Sequence, residues 1–307
     1  MVFGLMDLHG AWADGSGWNK VIPILTAAGH KVIAVQLPLH SLADDVATVK
    51  RAIDHIGGPV ILVGHSYGGE VITNAGYNNP NVKGLVYIAA FAPDEGEGEF
   101  SFINPAKFPK DLLIKDSGGF IYLNPELFRD NFAQDVTPAE AEIMAIAQKP
   151  FNQSEIFAKS GPPAWKQHPT WYQVSSNDRM ILQYLPKYQM VLSLILLDPP
   201  YEEKYWYLYE ALPPIVVAKL KPNGHFVSLF GDTMKHKFTN ILEAEGLIYN
   251  TDVSIQLQGP FSHDHHLHIS RKKKDLLWYY KGPELITNGL LQNLTSSQRP
   301  GKGTAKR

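Results

Sequence analysis

Short runs of aliphatic and β-branched residues recur along the first 180 positions of the chain, with segments of helical periodicity between them. Val32–Leu37, Val60–Val63, Leu85–Ala90 and Trp171–Ser175 are short and mainly apolar, as strands buried on both faces of a parallel sheet are. Trp18–Ala28 and Leu42–Ile56 carry the spacing of amphipathic helices, and Glu70–Gly76 opens another. This alternation predicts a doubly wound α/β sheet. Further along, Val191–Leu197 predicts a strand, Tyr205–Ala218 a long helix and His225–Phe230 a second strand. The last stretch, 286–307, is rich in Gln, Ser, Gly, Lys and Arg and is expected to be disordered.

At 307 residues the chain can bury one large core or two ordinary ones. Its 44% hydrophobic and 19% charged residues describe an ordinary globular protein. The absence of Cys excludes disulfides, thiolate metal sites and a Cys nucleophile. The opening MVFGLMDLHG lacks the basic start and apolar run of a signal peptide, and no segment is long and apolar enough to span a bilayer. The expected location is the cytoplasm, without a membrane partner. Charge divides the chain unevenly: residues 1–182 hold 13 Lys+Arg against 19 Asp+Glu, and residues 183–307 hold 15 against 11. That change of sign suggests two modules, the second a candidate for contact with DNA.

The clearest chemistry is Gly64-His65-Ser66-Tyr67-Gly68, followed by Gly69. G-x-S-x-G between a strand and a helix is a nucleophile elbow, a turn too sharp for a Cβ at its flanks. It lifts the Ser66 hydroxyl clear of the sheet and turns the N–H of Tyr67 toward a developing oxyanion. His9-Gly10-Ala11-Trp12, at the end of the first apolar run, places the N–H of Ala11 or Trp12 as the second oxyanion donor. Asp178, directly after the Trp171–Ser175 strand, stands where the acid of a Ser…Asp…His order belongs.

LHGAWADGSGW, HKVIAVQLPLHSLADD, PVILVGHSYGG, VKGLVYIAAFAPDEGE and WYQVSSNDR together resemble the small esterase-like α/β-hydrolases, relatives of plant hydroxynitrile lyases and methyl esterases. The resemblance spans about 3–181. It implies an α/β-hydrolase sheet with Ser66 as nucleophile, Asp178 as acid, no cofactor, and a helical cap over the site, here about 91–165. It also implies a last strand ending in a catalytic His some 25 to 30 residues after the acid. No His occurs between His168 and His225. His225, in Asn223-Gly224-His225-Phe226, is the candidate substitute. Without an imidazole a Ser hydroxyl is a poor nucleophile at neutral pH. A sheet lacking its last strand leaves an open edge, onto which Val191–Leu197 is expected to dock.

A second motif follows that strand. Asp198-Pro199-Pro200-Tyr201 is the D-P-P-Y sequence with which amino-group DNA methyltransferases hold a flipped base: the Asp carboxylate and a Pro carbonyl accept from the amino group, and the Tyr ring stacks. With the run from His268 to Gly282, the stretch 187–283 resembles part of an adenine-specific DNA methyltransferase. That resemblance implies S-adenosylmethionine, yet the Gly-rich turn that holds it is missing. His263, His265, His266 and His268 find no carboxylate or Cys elsewhere in the chain to complete a metal shell, so no metal is expected. Arg271–Lys274 suits either a phosphate grip or a solvated basic turn.

The expected architecture is therefore an α/β-hydrolase domain over 1–182, truncated after its acid, then a partial Rossmann-like methyltransferase module over 183–285. Three functions compete. The first is hydrolysis of a small ester or amide, impaired by the missing His. The second is DNA adenine methylation with a cofactor site supplied in trans. The third is an inactive chimeric fusion.

Overall fold

The computed structural model describes residues 4–103, 108–175, 178–181, 192–198, 216, 218, 220–231, 235–244, 247–256 and 273–280. Its strands are β1 (Gly4–Leu8), β2 (Lys31–Val35), β3 (Val60–Ser66), β4 (Val82–Ala90), β5 (Leu113–Lys115), β6 (Phe120–Leu123), β7 (Phe151–Asn152), β8 (Thr170–Ser175), β9 (Leu192–Asp198), β10 (Leu220–Gly231), β11 (Ile248–Gln256) and β12 (Lys273–Tyr280). The helices are α1 (Ile22–Ala27), α2 (Leu42–Ile56), α3 (Tyr67–Ala75), α4 (Pro125–Phe132), α5 (Pro138–Ala147) and α6 (Lys235–Ala244).

Nine strands form one sheet in the order β11-β12-β10-β9-β8-β4-β3-β1-β2, parallel from β10 to β2. The α/β-hydrolase sheet predicted for the first half is present. The break expected near residue 182 does not interrupt the ladder: β9 pairs with β8 from Trp171↔Leu194 to Ser175↔Asp198. The predicted docking of this strand on the open edge is thus observed. Beyond it, β12 runs antiparallel to β10 and β11.

Local chemistry accounts for the individual elements. Helix α2 is capped by Ser41, whose side chain accepts from Asp44 N–H, and ends at Gly57 in the left-handed region. Its buried Asp45, Val49 and Ile53 recur at i, i+4 and i+8, one stripe facing the sheet. Helix α3 is buried nearly all round, as the helix that follows an elbow inside a core must be. The helix predicted over Trp18–Ala28 divides: a 3-10 turn occupies Gly15–Trp18 and α1 starts at Ile22. Pro23 explains this, because proline is tolerated only in a helix's first turn. Likewise Leu220–Gly224, expected as a lead-in, already belongs to β10, with a register irregularity before His225. Lys273 and Lys274, expected in a basic turn, begin β12.

Met6, Leu8, Leu62, Val71, Ile72, Leu85, Tyr87 and Tyr172 anchor the main core, and Val216, Leu220, Leu242 and Leu247 are buried in the same cluster. The first and second halves therefore share apolar packing as well as a sheet. Above the strand ends sits the cap. It carries α4 and α5, as expected, but also the small antiparallel sheet β5-β6-β7, and it packs its own cluster around Leu112, Leu123 and Phe128. Among the described residues no helix is long and apolar enough to cross a membrane.

Candidate active site

Ser66 ends β3 and precedes the first residue of α3, with φ 54° and ψ −126°. A non-glycine residue in that region is strained and persists only where the surroundings impose it. Here they do. A Cβ at Gly64 would lie 2.6 Å from Gly68 O, and one at Gly68 would lie 2.8 Å from both Leu8 O and His9 O. The strand-to-helix turn is thus pressed against the loop after β1, and only glycine fits at its flanks. Tyr67 starts α3, so its N–H has no intrahelical acceptor.

The loop after β1 forms the other wall. A Cβ built on Gly10 would sit 3.0 Å from Ser66 Oγ, so this backbone lies directly against the nucleophile. Ala11 and Trp12 line the same cavity as Ser66. His9 braces the loop: its Nε2 accepts from Leu37 N–H at 3.0 Å, which leaves Nδ1 to donate to Gly10 O at 2.8 Å. Burial lowers its pKa to about 4, so His9 is a neutral strut rather than a base. Trp12, with φ 60°, ties the loop to the cap through indole N–H donation to Ile121 O at 3.0 Å. Its ring meets Phe132 and Phe151 edge-on.

Asp178 follows β8, the strand end at which the sequence expects an acid. Its Oδ1 accepts from the N–H groups of Met180 and Ile181, each at 2.9 Å, and both residues line the Ser66 cavity. The loop that carries the acid therefore also shapes the substrate wall. The cavity holds about 210 Å³ and is walled mainly by apolar side chains, among them Phe91, Ile121, Phe151 and Ile156.

His225 does not complete a triad with Ser66. The register runs from His225 to Leu194, Trp171, Val86 and Val63, so His225 lies level with a residue three positions before Ser66. Four strand spacings separate β10 from β3, roughly 19 Å. That is several times hydrogen-bond reach. The place beside the acid strand, where a His-bearing strand was expected, is taken by β9, which ends in Asp198. Pro199, Pro200 and Tyr201 lie outside the described residues, as do His263, His265, His266, His268 and the tail 286–307. No group of three or more metal-binding side chains occurs among the described residues.

Sequence reasoning missed a set of buried acids beneath and beside the cavity. Tyr67 Oη lies 2.8 Å from Asp45 Oδ2 and 2.9 Å from Glu155 Oε2. A hydroxyl has one proton to give, so one carboxyl must hold a proton of its own and donate. Asp45 also accepts from Leu39 N–H at 2.9 Å, which favours its ionised form. The shared proton therefore resides on Glu155, whose pKa burial raises to about 7. Glu70 and Glu99 form a second buried pair. Burial raises Glu70 to about 8, with Glu155 adding to the rise, and lifts Glu99 well above the carboxylate range, where Glu70 and Glu155 also oppose its ionisation. Nothing in Gly-Glu-Gly-Glu-Phe distinguishes Glu99 from a solvated glutamate.

The sheet, the capped elbow and the cavity over a strained serine define an α/β-hydrolase. The sequence profile of the Alpha/beta hydrolase family matches residues 8–233, and the chain belongs to that family. Among curated relatives, a carbendazim hydrolyzing esterase of Nocardioides sp. (strain SG-4G) is 33% identical over 129 residues, covering 37% of this chain and 52% of that protein. Salicylic acid-binding protein 2 of Nicotiana tabacum is 36% identical over 101 residues, covering 28% of this chain and 39% of its own. The chain thus spans about half or less of the length of these two relatives. An extracellular alpha/beta-hydrolase from a Paenibacillus species, described as sharing structural and functional homology with the tobacco protein, superposes with a TM-score of 0.51 at 25% identity, covering 59% of this chain and 81% of that one. The family match runs past the joint near residue 182. None of these relatives is a methyltransferase.

Proposed function

We propose that the chain hydrolyses small, largely apolar esters, with amides as a second substrate class, through Ser66. The observation that carries this reading is the strained elbow serine lining a largely apolar cavity, with Tyr67 N–H and the Ala11–Trp12 backbone at hand for the oxyanion. The carbendazim esterase supports the ester class. Asp178 orients the acid side of the site. In this reading the oxyanion donors and substrate positioning carry part of the rate. In a model protease those alone retain about 10³–10⁴-fold over water.

The residues 1–182 form the reacting unit in this proposal, and 183–285 complete its sheet and core. A DNA methyltransferase reading and an inactive fusion fit less well, because the family match crosses into that segment and its strands extend the hydrolase sheet. The sequence there offers no turn to hold S-adenosylmethionine, and no step is assigned to it. DNA contact finds no support in the relatives described.

The test is labelling with a fluorophosphonate, read by mass spectrometry, beside hydrolysis of p-nitrophenyl butyrate. Ser66 is expected to carry the label, with slow turnover that Ser66→Ala removes. Unlabelled Ser66 in folded protein, and equal hydrolysis by both variants, would reject the proposal.

A further inference from the structure

Among the described residues the Ser66 cavity has three polar side chains besides the committed Trp12 indole: Ser66, Gln153 and Glu99. Glu99 is the anomaly. It retains only 3% of its surface and lines the cavity, and its carboxyl oxygens are not among the fully enclosed unpartnered atoms, so they open onto that space rather than into the protein. Leaving a buried carboxyl group without a partner is costly unless something else satisfies it. Behind it stands Glu70, fully buried, whose Oε1 accepts from Ser160 Oγ at 3.1 Å. Ser160 in turn accepts from Asn74 Nδ2 at 3.0 Å, so its one hydroxyl proton is committed to Glu70. Glu70 Oε2 finds no partner. No described cation pairs with Glu99, and two adjacent carboxylates in an apolar wall cannot both ionise. The Glu99 carboxyl is thereby held as a neutral acid on the wall of the substrate cavity, with a proton to donate and no acceptor among the described residues.

We propose that Glu99 determines specificity: it donates a hydrogen bond into the cavity and selects ligands that carry an acceptor oxygen or nitrogen over hydrocarbons of the same shape. For a hydrolase, the preferred substrates are esters with a second acceptor, such as a carbonyl, an ether oxygen or a ring nitrogen, in addition to the scissile group. Ketones and ethers satisfy the acid without bringing a charge into the apolar wall. This inference deepens the hydrolase reading and rests on the Ser66 cavity being the substrate site, but it does not need turnover to be tested.

The experiment measures binding of two unreactive ligands of similar shape, 4-phenyl-2-butanone and n-butylbenzene, by calorimetry. Wild-type protein is expected to favour the ketone by about tenfold, the discrimination of one buried hydrogen bond. Glu99→Gln, which keeps a donor, should retain the preference, and Glu99→Met should lose it. Infrared spectra supply a check without substitution: a protonated-carboxyl band of the wild type should shift with the ketone, stay put with the hydrocarbon, and be missing from Glu99→Gln. A ketone preference unchanged in Glu99→Met, as the oxyanion donors alone would give, overturns the proposal. So does failure of both ligands to bind. A ketone preference that depends on Glu99 in a protein that hydrolyses no ester leaves this inference standing and rejects the hydrolase reading instead.

Discussion

The two halves of the sheet obey the same backbone rules and differ in what stands at their strand ends. From β1 to β8 the carboxyl ends carry the oxyanion loop, Ser66 and the Asp178 turn. From β9 to β12 the ladder continues in register, yet the strand beside the acid ends in Asp198, and the imidazole nearest in sequence to that edge, His225, sits within β10. A sheet is extended by any strand with the right register and apolar pattern. Catalysis needs one particular side chain at one particular edge.

Substitutions can break this contrast from either side. The largest effect belongs to Ser66→Ala, which should abolish fluorophosphonate labelling while leaving the circular dichroism spectrum unchanged. Next is Ile195→Pro in the middle of β9. Proline removes a ladder donor from a strand paired on both sides, at a cost of about 1–3 kcal/mol. Hydrogen exchange should then quicken in β8 as well as β9 and β10; if β8 keeps its protection, the two halves are less coupled than the register implies. Gly68→Ala should also lose roughly 1–3 kcal/mol in denaturant unfolding, because the new Cβ meets backbone at 2.8 Å on two sides.

A smaller effect concerns pH. In the folded protein Glu155 and Glu70 keep their protons up to about 7 and 8, whereas their ordinary value is 4.5. Between those limits the folded state holds protons that the unfolded chain has released, so stability falls as pH rises. His9 works the other way, since its folded value of about 4 lies below the ordinary 6.5, and stability gained from it is complete by pH 6.5. The melting temperature should therefore decline between pH 6.5 and 8, and Glu155→Gln should flatten that decline. A wild-type melting temperature that rises over this range contradicts the assignment of the shared proton. The smallest effect is expected at His225→Ala, where any residual ester hydrolysis should stay within about twofold, because three strands stand between that backbone and the strand of Ser66.

Much of the site was legible in residue order because its constraints are local. Gly64, Ser66 and Gly68 fall within one turn, and the strand before and helix after are set by neighbouring residues. Helix α2 spans Leu42–Ile56 as predicted, and the Ser41 cap and Gly57 that bound it are local too. The Trp18–Ala28 helix was misjudged because a weak periodicity outweighed the proline inside it.

Non-local terms were not legible. D-P-P-Y looked like the start of another module because the four residues say nothing of which strand lies beside them. Only hydrogen bonding between β8 and β9 showed that the sheet continues. His225 offered a plausible Gly-His context, and its distance from Ser66 exists only once strand order is known. Glu99 is the sharpest case. A glutamate among glycines reads as solvated, and it takes the packing of Glu70, Ser160 and the cap to turn it into a buried acid. The chain alone thus determined the α/β pattern and the elbow, since short-range sterics and periodicity govern them. Strand order, the isolation of His225 and the protonation of the cavity wall came from the folded structure, because distance and dielectric arise only when remote segments pack.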